Sequence, residues 1–485
     1  MRISLKLKKF FSGAIGTRSF YAAVLAILIP LVIQQGITNL VNLLDNIMVG
    51  QLGTEEISAV AIVNQIIFIL YLTIFGVVAG VSIFGAQFYG KGDIKGLQFS
   101  LRLRTIMAVI VAILGIFILS EWGEVLISFF LNETEGDTGD IPLTLTYAKS
   151  YLTISLWGFV PFALTQCFAS TLKDCGETKM PMNASIVAIG TNLVLNYLLI
   201  FGTLGFPRLG VAGAAIATAI SRYVESVYII VMTHRRRKRF PFIIGAFQSL
   251  RVPAVLLRRI IRTGAPLILN ELLWALGTTI IAQSYSVRGL SAVTAVNINN
   301  TIWNVFSVVS MATGHAIGIL AGQRLGANNI DGAKDVVKKL TFFSVLLNIG
   351  IGAIIILTSS VIPNLYNTTN GIRRMAAQLL IISGLVLPIE AYTNATYFSI
   401  RSGGRTLVTF LFDSVFIWAV SLPAAWILAR FSPLPLVQIF LLIQLLNLIK
   451  VVIGFFMIRS GIWAKNVVND SKAVTTFSGS DLELE

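Results

Sequence analysis

The segment Gly85-Ala86-Gln87-Phe88-Tyr89-Gly90 returns 236 positions later as Ala321-Gly322-Gln323-Arg324-Leu325-Gly326. The same offset aligns much of the first third of the chain with its second half, and further along it falls to 228. The coinciding residues include Pro30 with Pro266, Gly53 with Gly289, Asn64 with Asn300, Thr105 with Thr341 and, at the smaller offset, Lys173, Gly176 and Thr178 with Arg401, Gly404 and Thr406. The chain is therefore built from two homologous halves, and a longer acidic loop within residues 132–140 accounts for the change of offset.

The composition is that of a membrane protein. Of the 485 residues, 55% are hydrophobic and 12% are charged, and the mean hydropathy is +0.82. A spanning helix needs about 20 apolar residues. The sequence offers twelve such stretches, at residues 20–50, 57–88, 99–128, 144–171, 182–203, 210–232, 257–287, 291–322, 336–365, 372–400, 407–430 and 434–460. We predict an all-α integral membrane protein with six helices in each half.

The net charge is +15, but the basic residues are distributed along the chain as the positive-inside rule expects for a membrane protein. The charge therefore does not indicate nucleic-acid binding. Basic residues cluster in alternate connections, which places both termini in the cytosol. Six spans per half is an even number, so the two repeats are parallel. We expect a monomer in the plasma (inner) membrane of the cell. The predicted divisions are a basic cytosolic N-terminus (1–19), an N-terminal lobe (20–233), a cytosolic inter-lobe loop (234–256), a C-terminal lobe (257–463) and a disordered C-terminal tail (464–485).

Cofactor and nucleotide chemistry have no support in the sequence. Two cysteines and two histidines do not make a metal or redox centre. The stretch 85–92 resembles a phosphate-binding loop, but its last position is Gly92 where a magnesium-binding Ser or Thr is required. We therefore expect no cofactor, no nucleotide and no catalytic site, and transport driven by an ion gradient.

Carboxylates within the spans are the main candidate functional groups, because a charge at a helix centre costs roughly 2.5–3.5 kcal/mol even on insertion scales. Asp45 lies on the first span with no basic residue near it in sequence, and Glu271 and Glu390 lie well inside apolar segments. These three acids are predicted to couple transport to a cation. For Glu225, with Arg222 one turn away, a local ion pair is the simpler interpretation.

Asp413 receives the same interpretation, because Arg401 and Arg405 precede it closely. We therefore expect it to form a local ion pair.

Pro30 and Pro266 occupy the same repeat position on the first helix of each half, and each is predicted to kink its helix. Asp45 follows Pro30 by 15 residues. Protons, sodium ions and a cationic substrate would compete for such a carboxylate, and competition of this kind is antiport.

Polar and aromatic side chains complete the predicted sites. A polar network of the N-terminal lobe is expected at Asn192, Asn196, Thr218 and Gln35. Candidates for an adaptable substrate cavity are Asn64, Asn300, Trp274, Trp303 and Tyr392, with ordinary helix packing as the alternative for each.

At these residues the chain resembles the multidrug and toxic compound extrusion (MATE) family, in its NorM-like and DinF-like bacterial branch. The resemblance spans all twelve helices and rests on Leu44-Asp45-Asn46-Ile47-Met48-Val49-Gly50-Gln51-Leu52-Gly53, the helix ends at 85–87 and 322–323, the turn Lys173-Asp174-Cys175-Gly176-Glu177-Thr178-Lys179, and Ile400-Arg401-Ser402-Gly403-Gly404. It implies two V-shaped six-helix lobes, alternating access, and export of amphipathic, often cationic, compounds in exchange for H+ or Na+.

By this resemblance Asp45 matches the acidic residue of the first helix. Glu390, 11 residues before Arg401, matches the acid of the C-lobe cation site and is the one position where Na+ is expected. There are two departures. Asn196 stands where the DinF-like pattern has an aspartate, and Glu271 stands about one turn before the usual glutamate. The resemblance therefore leaves both a proton gradient and a sodium gradient as possible driving forces.

Two other functions stay open as well. The same architecture serves lipid-linked saccharide flippases, which are expected to carry more basic residues in the cavity. A non-transporting receptor or intramembrane enzyme belongs to another class, and the absence of gradient-driven flux would favour it.

Overall fold

The computed structural model describes residues 15–131, 140–366 and 368–469, apart from the side chains of Asn42, Leu43 and Leu290. These residues form helices and connections, with no strand among them. The helices are α1 (Arg18–Gly50), α2 (Thr54–Lys91), α3 (Ile94–Ser128), α4 (Ile141–Leu156), α5 (Phe159–Asp174), α6 (Lys179–Phe201), α7 (Gly210–Arg235), α8 (Ala254–Ser286), α9 (Leu290–Phe306), α10 (Val308–Gly326), α11 (Ile330–Thr358), α12 (Asn370–Ser402), α13 (Thr406–Phe431) and α14 (Leu436–Ser460). Three short 3-10 helices lie at Thr203–Gly205, Pro241–Ile243 and Ile362–Leu365.

The described helices confirm the predicted twelve spans. Ten of them are individually long and apolar enough to cross a membrane. The other two spans are bent pairs, α4 with α5 at 45° and α9 with α10 at 41°. The first and second spans, at 33 and 38 residues, are longer than a perpendicular crossing requires.

The two halves repeat their turns as well as their residues. Before α3, Gly92 adopts a positive φ of 75°, and Asp93 then caps the helix by accepting a hydrogen bond from the Gly96 amide at 2.8 Å. Before α11, Asn328 has a φ of 58°, and Asn329 caps the helix through the Gly332 amide at 2.8 Å. Glycine and asparagine are the residues that tolerate this left-handed conformation best, and Asp and Asn are good caps. The duplication is therefore visible in the backbone.

The chain divides into two compact units. The N unit consists of Ile33–Gly85 and Asp93–Arg258, and the C unit consists of the chain up to Val32, Ala86–Gly92 and the chain from Arg259 onward. Helix α1 thus contributes to both units, and its change of unit falls just after Pro30. The lobes predicted at 20–233 and 257–463 stay a prediction about functional division.

In the N unit, buried side chains of α2, α3, α4, α5 and α7 form the main apolar core. Beside it, Arg104 and Asp174 form an ion pair of 2.6 Å that is almost completely buried, and the Ser82 hydroxyl also donates to Asp174. A buried pair is costly to break, because the remaining charge loses its partner. This pair therefore fixes α2, α3 and α5 together at one end.

In the C unit, the first half of α1 packs through a stripe at helical spacing. Val24, Ile27, Leu28 and Leu31 are buried, the last three against a cluster of α10 that includes Ala312.

The two copies of the repeated six-residue segment contact each other within the C unit. A Cβ atom added at Gly90 would overlap the backbone of Gln323, and one added at Gly326 would overlap the backbone of Gln87. The ends of α2 and α10 therefore cross with backbone against backbone, and the contact is reciprocal between equivalent residues. We call this contact the glycine crossing.

Gln87, which lies at this crossing, also forms hydrogen bonds with residues near the end of the described chain. Its Nε2 donates to the Ser402 carbonyl at 2.9 Å, and its Oε1 accepts from the Val467 amide at 2.7 Å. Val468 is buried as well. The described part of the predicted disordered tail, residues 464–469, is therefore ordered, because Gln87 supplies hydrogen bonds to it. The rest of that tail, the acidic loop at 132–139 and residues 1–14 of the basic N-terminus lie outside the described residues.

Candidate functional site

The N unit contains a cavity of about 390 Å³. Its walls come from α1, α2, α4, α5, α6 and α7, and they combine apolar and aromatic side chains with polar ones. The polar lining consists of Thr38, Asp45, Asn46, Asn64, Tyr71, Tyr151, Ser155, Asn196, Thr218 and Arg222. Four residues predicted from the sequence therefore share one cavity, namely Asp45, Asn64, Asn196 and Thr218.

Asp45 is half-buried and is held by a short chain of amides. The Asn196 Nδ2 donates to Asp45 Oδ1 at 2.6 Å and to Asn192 Oδ1 at 3.1 Å. The Asn192 Nδ2 in turn donates to the Thr218 hydroxyl at 3.3 Å. Asn192 and Asn196 reach each other because residues four apart on a helix share a face. The structure thus joins three members of the predicted polar network to the candidate acid.

Gln35, the fourth predicted member, does not join this chain. Its Nε2 donates to Asn39 on its own helix at 3.3 Å. The neighbouring Gln34 instead donates to the Ser185 hydroxyl at 2.8 Å, and Ser185 donates to Glu225 Oε1 at 2.8 Å. Consecutive residues on a helix point about 100° apart, and the sequence does not fix the phase of α1 finely enough to choose between them.

For Arg222 the sequence predicts the ion pair with Glu225 but not its place in the wall of the cavity. Its predicted ion pair with Glu225 is present, at 3.3 Å between Nη1 and Oε2. The guanidinium also lies 5.1 Å from the centre of the Phe162 ring and lines the cavity of Asp45. Within the described chain its buried Nε has no hydrogen-bond partner. Its position one turn after Thr218 on α7 was the available signal, because Thr218 was already assigned to the network.

Chemically, the cavity offers one carboxylate and one guanidinium, the charged side chains of its described lining. Asp45 can hold a proton, a metal cation or an organic cation. Arg222 adds a positive charge to the same lining. A cation that enters this cavity therefore meets an attractive group and a repulsive group together.

The C unit gathers polar groups in a different way. The Lys450 Nζ lies 2.9 Å from Asp413 Oδ1. The Asn270 Nδ2 donates to Asp413 Oδ2 and to the Tyr397 hydroxyl, both at 3.3 Å, and Tyr397 donates to Glu271 Oε1 at 3.1 Å. We call these five residues the C cluster. They come from α8, α12, α13 and α14.

The partner expected for Asp413 was wrong. Arg401 and Arg405 precede it by 12 and 8 residues. Eight residues of helix correspond to about 12 Å, too far for an ion pair along one helix. The ion pair is formed instead with Lys450, which lies on another span.

A local widening of α13 helps to place Asp413. The helix has π-helical turns at Leu411–Val415 and Ile417–Ser421. The Ser414 hydroxyl donates to both the carbonyl and the side-chain Oδ1 of Asn270, each at 2.8 Å. Such turns change the phase of a helix and are frequent at functional sites.

Glu390 lies two turns before Tyr397 on α12 and is half-buried. The charges of Lys450 and Asp413 act on it. Glu271 is hydrogen-bonded to Tyr397, which lies on the same helix as Glu390. Within residues 15–131, 140–366 and 368–469, no group of three or more His, Cys, Asp or Glu is placed to hold a metal ion.

The remaining predicted residues are placed as follows. Pro30 and Pro266 lie inside the continuous helices α1 and α8. Trp303 packs against an apolar cluster, Trp274 and Asn300 are exposed, and Tyr392 is half-buried. The roles proposed for these residues in kinking and substrate binding stay predictions.

Comparison with known proteins agrees with the duplication. The family described as MatE matches residues 30–198 and residues 266–427, and each match begins at a repeated proline. Similar proteins include a probable multidrug resistance protein NorM of Thermotoga maritima, 24% identical over 432 residues that cover 88% of this chain and 90% of that protein. The multidrug resistance protein MdtK of Pectobacterium atrosepticum is 24% identical over 410 residues, covering 83% and 86%.

Solved structures show the same fold. A crystal structure titled as MATE in the bent conformation has a TM-score of 0.80 at 20% identity, covering 91% of this chain and 95% of that one. The structure titled as the straight conformation has a TM-score of 0.79 at 20% identity, covering 90% and 95%. At this identity the likeness establishes the architecture alone.

Proposed function

Because this chain belongs to the MatE family, we propose that it is a secondary active exporter that exchanges amphipathic, often cationic, compounds for protons or sodium ions. It is a multi-pass membrane protein of a family of multidrug transporters, and it is not an enzyme. The observation that carries the proposal is Asp45, a carboxylate held by Asn196 in the wall of a cavity large enough for an organic molecule.

Competition at Asp45 supplies the coupling. One of its oxygens accepts from Asn196, and the carboxylate lines the cavity. A proton or sodium ion that neutralises it removes the attraction for an organic cation, and a bound organic cation disfavours the coupling ion. Linkage is reciprocal, so each ligand weakens the binding of the other. Entry of the coupling ion from outside would therefore release the compound outward.

The position of Asp45 on α1 supports a link between binding and conformation. Pro30 interrupts the hydrogen bonding of this helix 15 residues before the acid, and the helix changes compact unit between Val32 and Ile33. A helix weakened at this point can adopt two bends, and the charge on Asp45 would shift the balance between them. In this proposal the protein resides in the inner membrane as a monomer with both termini in the cytosol.

The test is efflux of a fluorescent lipophilic cation from proteoliposomes under a proton gradient, a sodium gradient, and both. Asp45→Asn should reduce gradient-driven efflux by about tenfold or more. Glu124→Gln is the matched control, because Glu124 is an acid of the same unit in an exposed ion pair with Lys149. Full efflux by folded Asp45→Asn protein would refute the assignment.

A lipid-linked saccharide flippase is the second candidate, and Arg222 is the observation that favours it. This guanidinium supplies in the cavity the kind of basic group that a pyrophosphate requires. Asp45 in the same lining opposes an anion, which is why the exporter ranks first. Absence of cation flux under every gradient, together with flipping of a fluorescent lipid diphosphate saccharide, would reverse this order.

A further inference from the structure

The repeat relates Lys450, Asp413 and Asn270 of the C cluster to polar residues of the N unit. At the offset of 228, Arg222 coincides with Lys450 and Ser185 with Asp413. At the offset of 236, Gln34 coincides with Asn270. Each half therefore carries a basic residue at the same position of its last helix, and in the N unit Ser185 and Gln34 are linked to Arg222 through Glu225.

Lys450 is enclosed, whereas Arg222 faces the cavity. The Lys450 side chain is 10% exposed and the Arg222 side chain is 31% exposed. The Lys450 ammonium lies 5.2 and 5.8 Å from the ring centres of Phe412 and Phe416 and 2.9 Å from Asp413. Carboxylate and rings together compensate a charge that would otherwise be costly in a span.

This ammonium lies in an acidic part of the C unit. Asp413 is its direct partner at 2.9 Å. Glu271 joins the same cluster through Tyr397, and Asn270 links Tyr397 to Asp413. Two carboxylates therefore belong to one hydrogen-bonded cluster, and a positive charge is already supplied there by the protein. A second cation beside Asp413 would be repelled by the ammonium at close range.

We propose that Lys450 is a tethered cation: its ammonium takes the place beside Asp413 that a sodium ion would occupy, so the C unit does not bind sodium. This inference rests on the proposed function in one respect, because it confines exchange with dissolved cations to Asp45 in the N unit. It replaces the sequence-based expectation of Na+ at Glu390 with a covalently attached charge.

Sodium binding to the purified protein tests the inference without any transport assay. All variants are made in an Asp45→Asn background, so that the N unit does not contribute. The readouts are binding of radioactive sodium and the thermal midpoint in sodium chloride against choline chloride at equal ionic strength. Lys450→Gln removes the charge, and Lys450→Arg is the matched control that keeps it.

We expect the protein that retains Lys450, and equally the Lys450→Arg variant, to bind no sodium and to melt at the same temperature in both salts. Lys450→Gln should gain sodium binding and a sodium-dependent rise of a few degrees in its midpoint, and adding Asp413→Asn should remove that gain. If Lys450→Gln does not fold, sodium binding to the protein that retains Lys450 still tests the inference. Sodium binding to it that Glu390→Gln abolishes would overturn the inference, as would a folded Lys450→Gln protein that ignores sodium.

The two proposals fail separately. Loss of all drug flux with a sodium-insensitive C unit would refute the export proposal and leave Lys450 as a tethered cation. Normal export with sodium bound at Glu390 would refute the tethered cation and leave the exporter.

Discussion

Arg222 in the N unit and Lys450 in the C unit occupy one position of the repeat, yet their surroundings differ. Arg222 has an acid one turn along its own helix, at 3.3 Å, and lines a cavity. Lys450 has its acid on a different helix, at 2.9 Å, and its ammonium lies 5.2 and 5.8 Å from the centres of two aromatic rings of that helix. A basic residue is present at this position in both halves, but its acidic partner lies at a different position in each. Under our proposals, exchange takes place in the open cavity that Arg222 lines, whereas the enclosed Lys450 replaces an exchanging ion.

The strongest way to break this comparison is to remove each basic residue. Lys450→Met should lower the free energy of unfolding by about 3–5 kcal/mol, because it leaves the largely buried charge of Asp413 without its ion-pair partner. Arg222→Met should cost roughly 1–2 kcal/mol, because Ser185 still donates to Glu225 and the site is partly open. Thermal midpoints in detergent measure the difference.

The double variant Asp413→Asn/Lys450→Met is the control for this prediction. It removes both charges and should recover most of the lost stability. Equal costs for the two single variants would show that the enclosure of Lys450 is energetically irrelevant.

A smaller effect is expected from the amides that hold the acids. Asn196→Ala removes the hydrogen bond to Asp45 at 2.6 Å. A hydrogen bond to a charged group contributes about 1.5–3 kcal/mol, or about a tenfold to hundredfold change in the cation concentration that drives half-maximal efflux. Proteoliposome efflux across a series of pH values and sodium concentrations measures this shift.

Asn270→Ala provides the contrast in the C unit. It removes the contacts to Asp413 and Tyr397. We expect it to lower the thermal midpoint while leaving the cation dependence of efflux in place. A shift in cation dependence as large as that of Asn196→Ala would contradict the division of roles.

The smallest effect separates two neighbouring glutamines. Gln34→Ala loses the bond to Ser185 and should destabilise the protein by about 1 kcal/mol. Gln35→Ala, whose amide is exposed and bonded only within its own helix among the described residues, should change stability by less than about 0.5 kcal/mol. A larger cost for Gln35 would restore it to the network.

The sequence predicts local and repeated features well. Helical spacing placed Asn192 and Asn196 on one face, and it paired Arg222 with Glu225. Contacts between distant segments are harder to predict from the sequence. The pairing of Lys450 with Asp413, for example, depends on how two separate spans pack.

The repeat itself contained a usable signal for the second pair. Lys450 coincides with Arg222 at an offset that was already known from the turns. The π-helical turns of α13 had no signal of this kind, because they change the phase of the helix without a proline or glycine among residues 411–421.

Because of the glycine crossing, the two halves of the chain contact each other even apart from the loop that joins them. Ala86–Gly92 belongs to the C unit although it is encoded in the first half, and its Gly90 rests on the backbone of Gln323. A chain cut in the loop after α7 would therefore give two fragments that still share an intimate contact. Co-expressed halves should therefore associate and assemble into one protein.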